Sequence, residues 1–136
     1  MDEFNLFEYE LILSSDVRGN PLDGSRYYVL RLTRDIPACK YWSVIVYDLT
    51  NRLIIRNSQL WPSVHSNRQK LCVNDDGSVD ICFGPEIPSG KESNWIQTIN
   101  KRGWYLIIRL YDLNKKMSDM DWSPGQIEPV NEYEYR

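Results

Sequence analysis

Residues 104–111 read Trp-Tyr-Leu-Ile-Ile-Arg-Leu-Tyr, and this stretch constrains the fold more than any other. Side chains on a β-strand point to opposite faces at every second position. Trp104, Leu106, Ile108 and Leu110 therefore share one apolar face, while Tyr105, Ile107, Arg109 and Tyr111 share the other. This is the longest strand signal in the chain, and its first face reads as core.

Shorter segments repeat the pattern. Phe7 to Leu11 alternates apolar and acidic residues, and Tyr27 to Leu32 is rich in strand formers. In Tyr41 to Asp48, Trp42, Val44 and Val46 lie on one face and Ser43, Ile45 and Tyr47 on the other. Arg52 to Arg56 has a Leu-Ile-Ile centre and is expected to be another strand. Turn chemistry separates these runs at Arg18-Gly19-Asn20-Pro21, Asp23-Gly24, Asp75-Asp76-Gly77, Pro85 to Gly90 and Arg102-Gly103. Short strands at this spacing predict a β-sandwich or barrel with little helix. One helical turn capped by Ser118 and running to Asp121 is the exception. At 136 residues the chain is expected to be one domain, residues 1–136, with short tails at both ends.

The turn at Gly77 also bears on the cysteines. A three-residue loop, Asp75-Asp76-Gly77 with Gly77 left-handed, sets Val73 opposite Val79 and Leu71 opposite Ile81. A two-residue loop would shift the register by one and put Val73 against Asp80, mixing the faces. The first register sets Cys72 against Asp80 and Cys82 against Lys70, so no cross-strand Cys72–Cys82 disulfide is expected.

Charge and motif content disfavour several kinds of chemistry. With 16 basic and 19 acidic residues the chain carries a formal charge of -3, so no global positive field attracts nucleic acid. No apolar run approaches the ~20 residues of a membrane span, and Met1-Asp2-Glu3-Phe4 does not open a signal peptide. Three cysteines, Cys39, Cys72 and Cys82, lack metal-ligand spacing and suit reduced thiols, which leads to a cytoplasmic expectation. No metal and no cofactor is expected. Asp16, Asn20, Asp23, Asp75 and Asp76 are explained by turns rather than by calcium. The single histidine, His65, lies in the loop-like segment 61–68 without a nucleophile-elbow pattern nearby. Glu86 and Glu92 share one long loop, the only carboxylates there that a hydrolase or lyase could use.

That loop, Pro85 to Trp95, is the most specific local feature, because long loops in small domains often carry function. Trp95 either plugs one end of the sandwich or offers a binding platform. Asn94 and Glu92 either order loop backbone or anchor a ligand.

Several motifs in order resemble the domain of unknown function 1214: Asn20 to Ser25, Tyr41 to Val44 with Tyr47-Asp48, Asn74 to Val79, Gly90 to Trp95, Tyr105-Leu106 with Arg109 to Tyr111, and Trp122 with Pro124. The likeness runs from about residue 17 to 130. It implies an antiparallel, jelly-roll-like sandwich and no agreed activity. It also implies an N-terminal companion, the domain of unknown function 1254, expected to be absent because Met1 lies just upstream of the likeness. After Asn57 the family's usual stretch is replaced by Ser58 to Ser63.

Three functions follow as expectations. The first is a noncatalytic interaction or assembly module, binding a protein partner or a second copy of itself. The second is a carbohydrate or small-ligand domain using Glu92, Asn94, Trp95, Arg109, Tyr47 and Trp61, with Tyr111 and Trp42 as further aromatic surfaces. The third is a hydrolase or lyase with Glu92 or Glu86, Arg109 as an anion clamp, and His65 or a tyrosine carrying protons; its catalytic residues are not assigned.

Overall fold

The computed structural model describes residues 7–36, 38–59, 62–68, 70–113 and 122–135. Among these residues eight strands are formed: β1 (Phe7–Leu13), β2 (Tyr27–Leu32), β3 (Ala38–Asp48), β4 (Ser63–His65), β5 (Val79–Gly84), β6 (Trp95–Gln97), β7 (Trp104–Leu113) and β8 (Ile127–Val130). They assemble into two four-stranded sheets, ordered β1-β7-β3-β4 and β6-β5-β2-β8. Every pairing is antiparallel except β5 with β6, which is parallel. The chain repeatedly crosses from one sheet to the other, the expected sandwich. Among the described residues helix is confined to a 3-10 turn at Glu92–Asn94 and a short α1 (Glu132–Tyr135). The helical turn expected at Ser118 lies outside the described residues.

The core forms where the alternation predicted it. Trp104, Leu106, Ile108 and Leu110 face inward from β7 beside Trp42, Val44 and Val46 of β3. Tyr28, Leu30, Leu32, Ile81 and Phe83 meet them from the second sheet. The Phe83 ring stacks on Trp104 at 4.9 Å, and Tyr28 meets Trp104 edge-on at 5.6 Å.

Two predicted strands are absent. Arg52 to Arg56 touches the sheet through one bridge, Ile54 to Tyr47; Ile55 is buried as an anchor while Leu53 and Ile54 face solvent. The Gly77 turn closes as predicted: Gly77 has a φ of 88°, and the Asn74 N–H donates to the Ser78 carbonyl at 2.8 Å. The arm before it, Leu71 to Val73, forms no strand, because the backbone of Cys72 bonds the Asn94 side chain instead of a neighbouring strand. Cys72 and Cys82 are both free thiols. Conversely, β4, β6 and β8 arise where no strand was predicted, and His65 sits on β4 rather than in a loop.

The segment from Asn20 to Ser25 works as a clamp. The Gly24 N–H donates to the Arg102 carbonyl at 2.8 Å, and the Thr98 hydroxyl donates to the Gly24 carbonyl at 2.8 Å. A Cβ at Gly24 would fall 2.7 Å from the Arg102 carbonyl oxygen and would also strike that of Ile99, so only glycine lets these loops meet. The carboxylates of Asp16, Asp23 and Asp76 accept backbone N–H groups two residues ahead, at 2.8 to 2.9 Å. That is the turn role assigned to them from sequence.

Edge strand β6 is covered by Asn57 and Gln59. Asn57 and Gln59 donate side-chain amide hydrogens to the Gln97 and Trp95 carbonyls at 2.8 and 2.9 Å, and Gln59 accepts the Gln97 N–H at 2.7 Å. Amide side chains here do the work of a fifth strand and close an otherwise open ladder.

Candidate functional site

The outer face of the β1-β7-β3-β4 sheet is built in four cross-strand rows. Register places Tyr111 beside Tyr41 in the first, and Glu10, Arg109, Ser43 and His65 in the second. Ile12, Ile107, Ile45 and Ser63 form the third, and Tyr105, Tyr47 and Ile54 the fourth. Period-two alternation fixes this face once the opposite residues are committed to the core.

The rows are knit by ring contacts. Tyr47 and Tyr105 stack with centroids 5.4 Å apart and planes 14° from parallel. Tyr41 meets Tyr111 edge-on at 5.2 Å and the His65 ring at 5.4 Å. The Arg52 guanidinium lies over Tyr105, 5.8 Å from its centroid. Such pairs contribute about 0.5–1.5 kcal/mol each beyond buried area. Between the aromatic ends, Ile12 is 60% exposed, and Leu53 and Ile54 extend the apolar surface past the sheet.

Charge on this face is paired. Arg109 Nε donates to Glu10 Oε2 at 3.0 Å, so the predicted anion clamp already holds a carboxylate from its own sheet. His65 has its pKa lowered, by burial first and then by the neighbouring Arg68, and is neutral at pH 7. Its Nδ1 accepts the Asn67 N–H at 3.2 Å, which assigns the ring proton to Nε2. Neutral His65 thus has no basic nitrogen left to activate a nucleophile while that bond holds. The adjacent Ser43 hydroxyl is enclosed and finds no hydrogen-bond partner among the described residues. Sequence reading did not single out Ser43; its position between Arg109 and His65 depends on β4, which carries no sequence signal.

The predicted loop residues lie on the other sheet. Asn94 is only 1% exposed, and its side chain bonds backbone: it accepts from Cys72 N at 2.9 Å and donates to the Cys72 and Asp80 carbonyls at 2.8 and 2.9 Å. Trp95 is buried against Cys82 and Tyr135, its indole N–H donating to the Gly84 carbonyl at 3.0 Å. Glu92 is exposed and accepts the Gly90 N–H at 3.2 Å, while Glu86 is exposed in the same loop. Tyr47 and Arg109 belong to the aromatic face, Tyr111 does too, and Trp42 is core. Trp61 lies outside the described residues. Glu92, Asn94 and Trp95 therefore do not converge with Arg109 on one pocket. Among the described residues no three His, Cys, Asp or Glu side chains cluster as metal ligands, and no helix is long and apolar enough to cross a membrane.

Comparison with known proteins agrees with this picture. The fold resembles the crystal structure of the VPA0106 protein from Vibrio parahaemolyticus, with a TM-score of 0.76 at 24% identity, covering 90% of this chain and 30% of that one. It also resembles an uncharacterised protein from Burkholderia cenocepacia, with a TM-score of 0.55 at 14% identity, covering 98% of this chain and 37% of that one. The chain thus spans well under half the length of either solved protein. No curated protein matches it. The profile of the family described as protein of unknown function DUF1214 matches residues 8–115, and the chain belongs to that family.

Proposed function

We propose that the chain is a noncatalytic interaction module that docks another protein surface on the outer face of its β1-β7-β3-β4 sheet. The observation that carries this reading is Ile12, 60% exposed in a row with half-buried Ile45 over buried Ile107, flanked by aromatic pairs and beside the Arg109–Glu10 ion pair. Strand spacings of ~4.8 Å and ~3.3 Å per residue give that face roughly 300 Å². With Leu53 and Ile54 beside it the surface stays below the ~800 Å² per partner of a standard interface, the size of a weak, reversible contact.

The partner is a companion protein domain, for which the resemblance implies the domain of unknown function 1254. The greater length of the two solved proteins supports a companion of some kind. Without it, a second copy of the chain covers the face through a two-fold contact. Free Cys72 and Cys82 suit a reducing, cytoplasmic setting.

Sedimentation equilibrium tests this. The chain alone is expected to form a dimer at about 1 mM that dissociates on dilution to about 10 µM. The double variant Ile12→Glu, Ile54→Glu is expected to stay monomeric with its melting temperature unchanged, since both side chains are exposed. A chain that is monomeric throughout, or a dimer untouched by the double variant, contradicts the proposal.

A further inference from the structure

The second sheet carries a groove on its own outer face, of about 530 Å³, within the ~300–1,000 Å³ of small-ligand sites. Its floor follows from register. Glu128, Val29, Cys82 and Trp95 lie in one row across β8, β2, β5 and β6, and Arg31 with Asp80 forms the next. Tyr135, delivered by α1, closes one end and packs against Tyr27 at 4.6 Å.

The opposite end is a fixed polar corner. The Asp80 side chain is nine-tenths buried, and Arg31 grips it with Nε to Oδ1 at 2.7 Å and an Nη to Oδ2 at 3.1 Å. Asn74 donates to Oδ2 at 3.3 Å, and Lys91 Nζ stands 3.7 Å from it. Asn94 pins the Asp80 backbone from behind. These groups are held before any ligand arrives, which lowers the ordering cost of binding.

The lining has two cations, Arg31 and Lys91, and two carboxylates, Asp80 and Glu128. Their charges cancel, so the groove has no net field for an ion. It offers donors and acceptors side by side over an apolar floor of Val29, Cys82 and Val130. A sugar matches both features: each hydroxyl donates and accepts, and the C–H face of the ring lies on apolar surface. We propose that this groove is a binding site for a neutral carbohydrate, independent of the docking face on the other sheet.

Saturation-transfer NMR on the whole chain, with glucose, galactose, mannose and N-acetylglucosamine and with citrate as an anionic control, tests it. At least one sugar is expected to receive saturation at its ring protons and to shift the Val29 and Cys82 amides. Its binding is expected to weaken about tenfold in Glu128→Ala and in Lys91→Ala, each removing a charged hydrogen-bonding group. Both residues reach solvent, and the amide spectrum of each variant reports whether the fold is kept. Ile12→Glu, Ile54→Glu is expected to bind the sugar as the native chain does. Silence from all four sugars, shifts centred elsewhere, affinity unchanged in both groove variants, or binding of citrate alone would each overturn the proposal.

Discussion

Replacing Asn94 with alanine tests what holds the long loop to the second sheet. The side chain makes three hydrogen bonds to backbone, two with Cys72 and one with Asp80, all between 2.8 and 2.9 Å, in a position closed to solvent. At about 1 kcal/mol net for each bond, the loss is about 3 kcal/mol, rising to about 5 where a carbonyl stays dry without a partner. A chain of 136 residues has a folding free energy of about 7–20 kcal/mol, so the variant still folds. With a urea slope of about 2 kcal/mol per molar, the midpoint falls by about 1.5 M. Asn94→Asp is expected to fall further, because it keeps the acceptor for Cys72 N but turns a carboxylate toward two carbonyl oxygens. A midpoint shift below about 0.3 M for alanine, or an aspartate variant more stable than the alanine one, would refute the clamp.

Gly24→Ala places a Cβ against the Ile99 and Arg102 carbonyl oxygens and is expected to cost at least about 3 kcal/mol or to prevent folding, read by thermal melting. Burial pushes the Cys82 thiol up to about 11, so at pH 8 Cys82 is expected to resist an aromatic disulfide reagent while half-buried Cys72 reacts, as mapped by peptide mass. Asp80 is held below its ordinary value of 3.8 by its hydrogen bond to Arg31, with burial opposing and Asn74 assisting. Its contribution is therefore present above pH 3.8 and is lost as pH falls through the folded-state value. Urea midpoints below pH 4 are expected to drop less steeply in Asp80→Asn than in the native chain, and equal slopes would count against the Arg31 pairing.

Legibility in the sequence followed strand length. In β7 and β3, alternation repeats often enough to name the inward residues, and Trp104 and Val44 are found where the pattern put them. In Ser63–His65 and Trp95–Gln97 three residues cannot show a period, and in Ile127–Val130 a proline interrupts it. Arg52 to Arg56 misled because an apolar run is read as buried, whereas only Ile55 enters the core. The arm before Gly77 failed for a longer-range reason. Cys72 spends its backbone groups on Asn94, 22 residues away, and no local pattern records that.

The candidate surfaces were half visible. Tyr105, Arg109 and Tyr111 share a face by alternation, as do Ser43, Ile45 and Tyr47, but only the β3–β7 register turns them into rows. The loop residues Glu92, Asn94 and Trp95 drew attention through their chemistry, yet all three side chains bond backbone, and Asn94 and Trp95 are buried. The groove was out of reach, since Arg31 and Asp80 lie 49 residues apart and meet only across β2 and β5.

The most direct test of the docking face is a dilution series of the chain followed by NMR of isoleucine δ1-methyl groups. Dimerisation through the proposed face predicts concentration-dependent shifts at Ile12, Ile45, Ile54 and Ile107, with Ile81 and Ile96 of the core unmoved. Shifts absent from those four methyls, or centred on Ile87 in the loop of the other sheet, would contradict it.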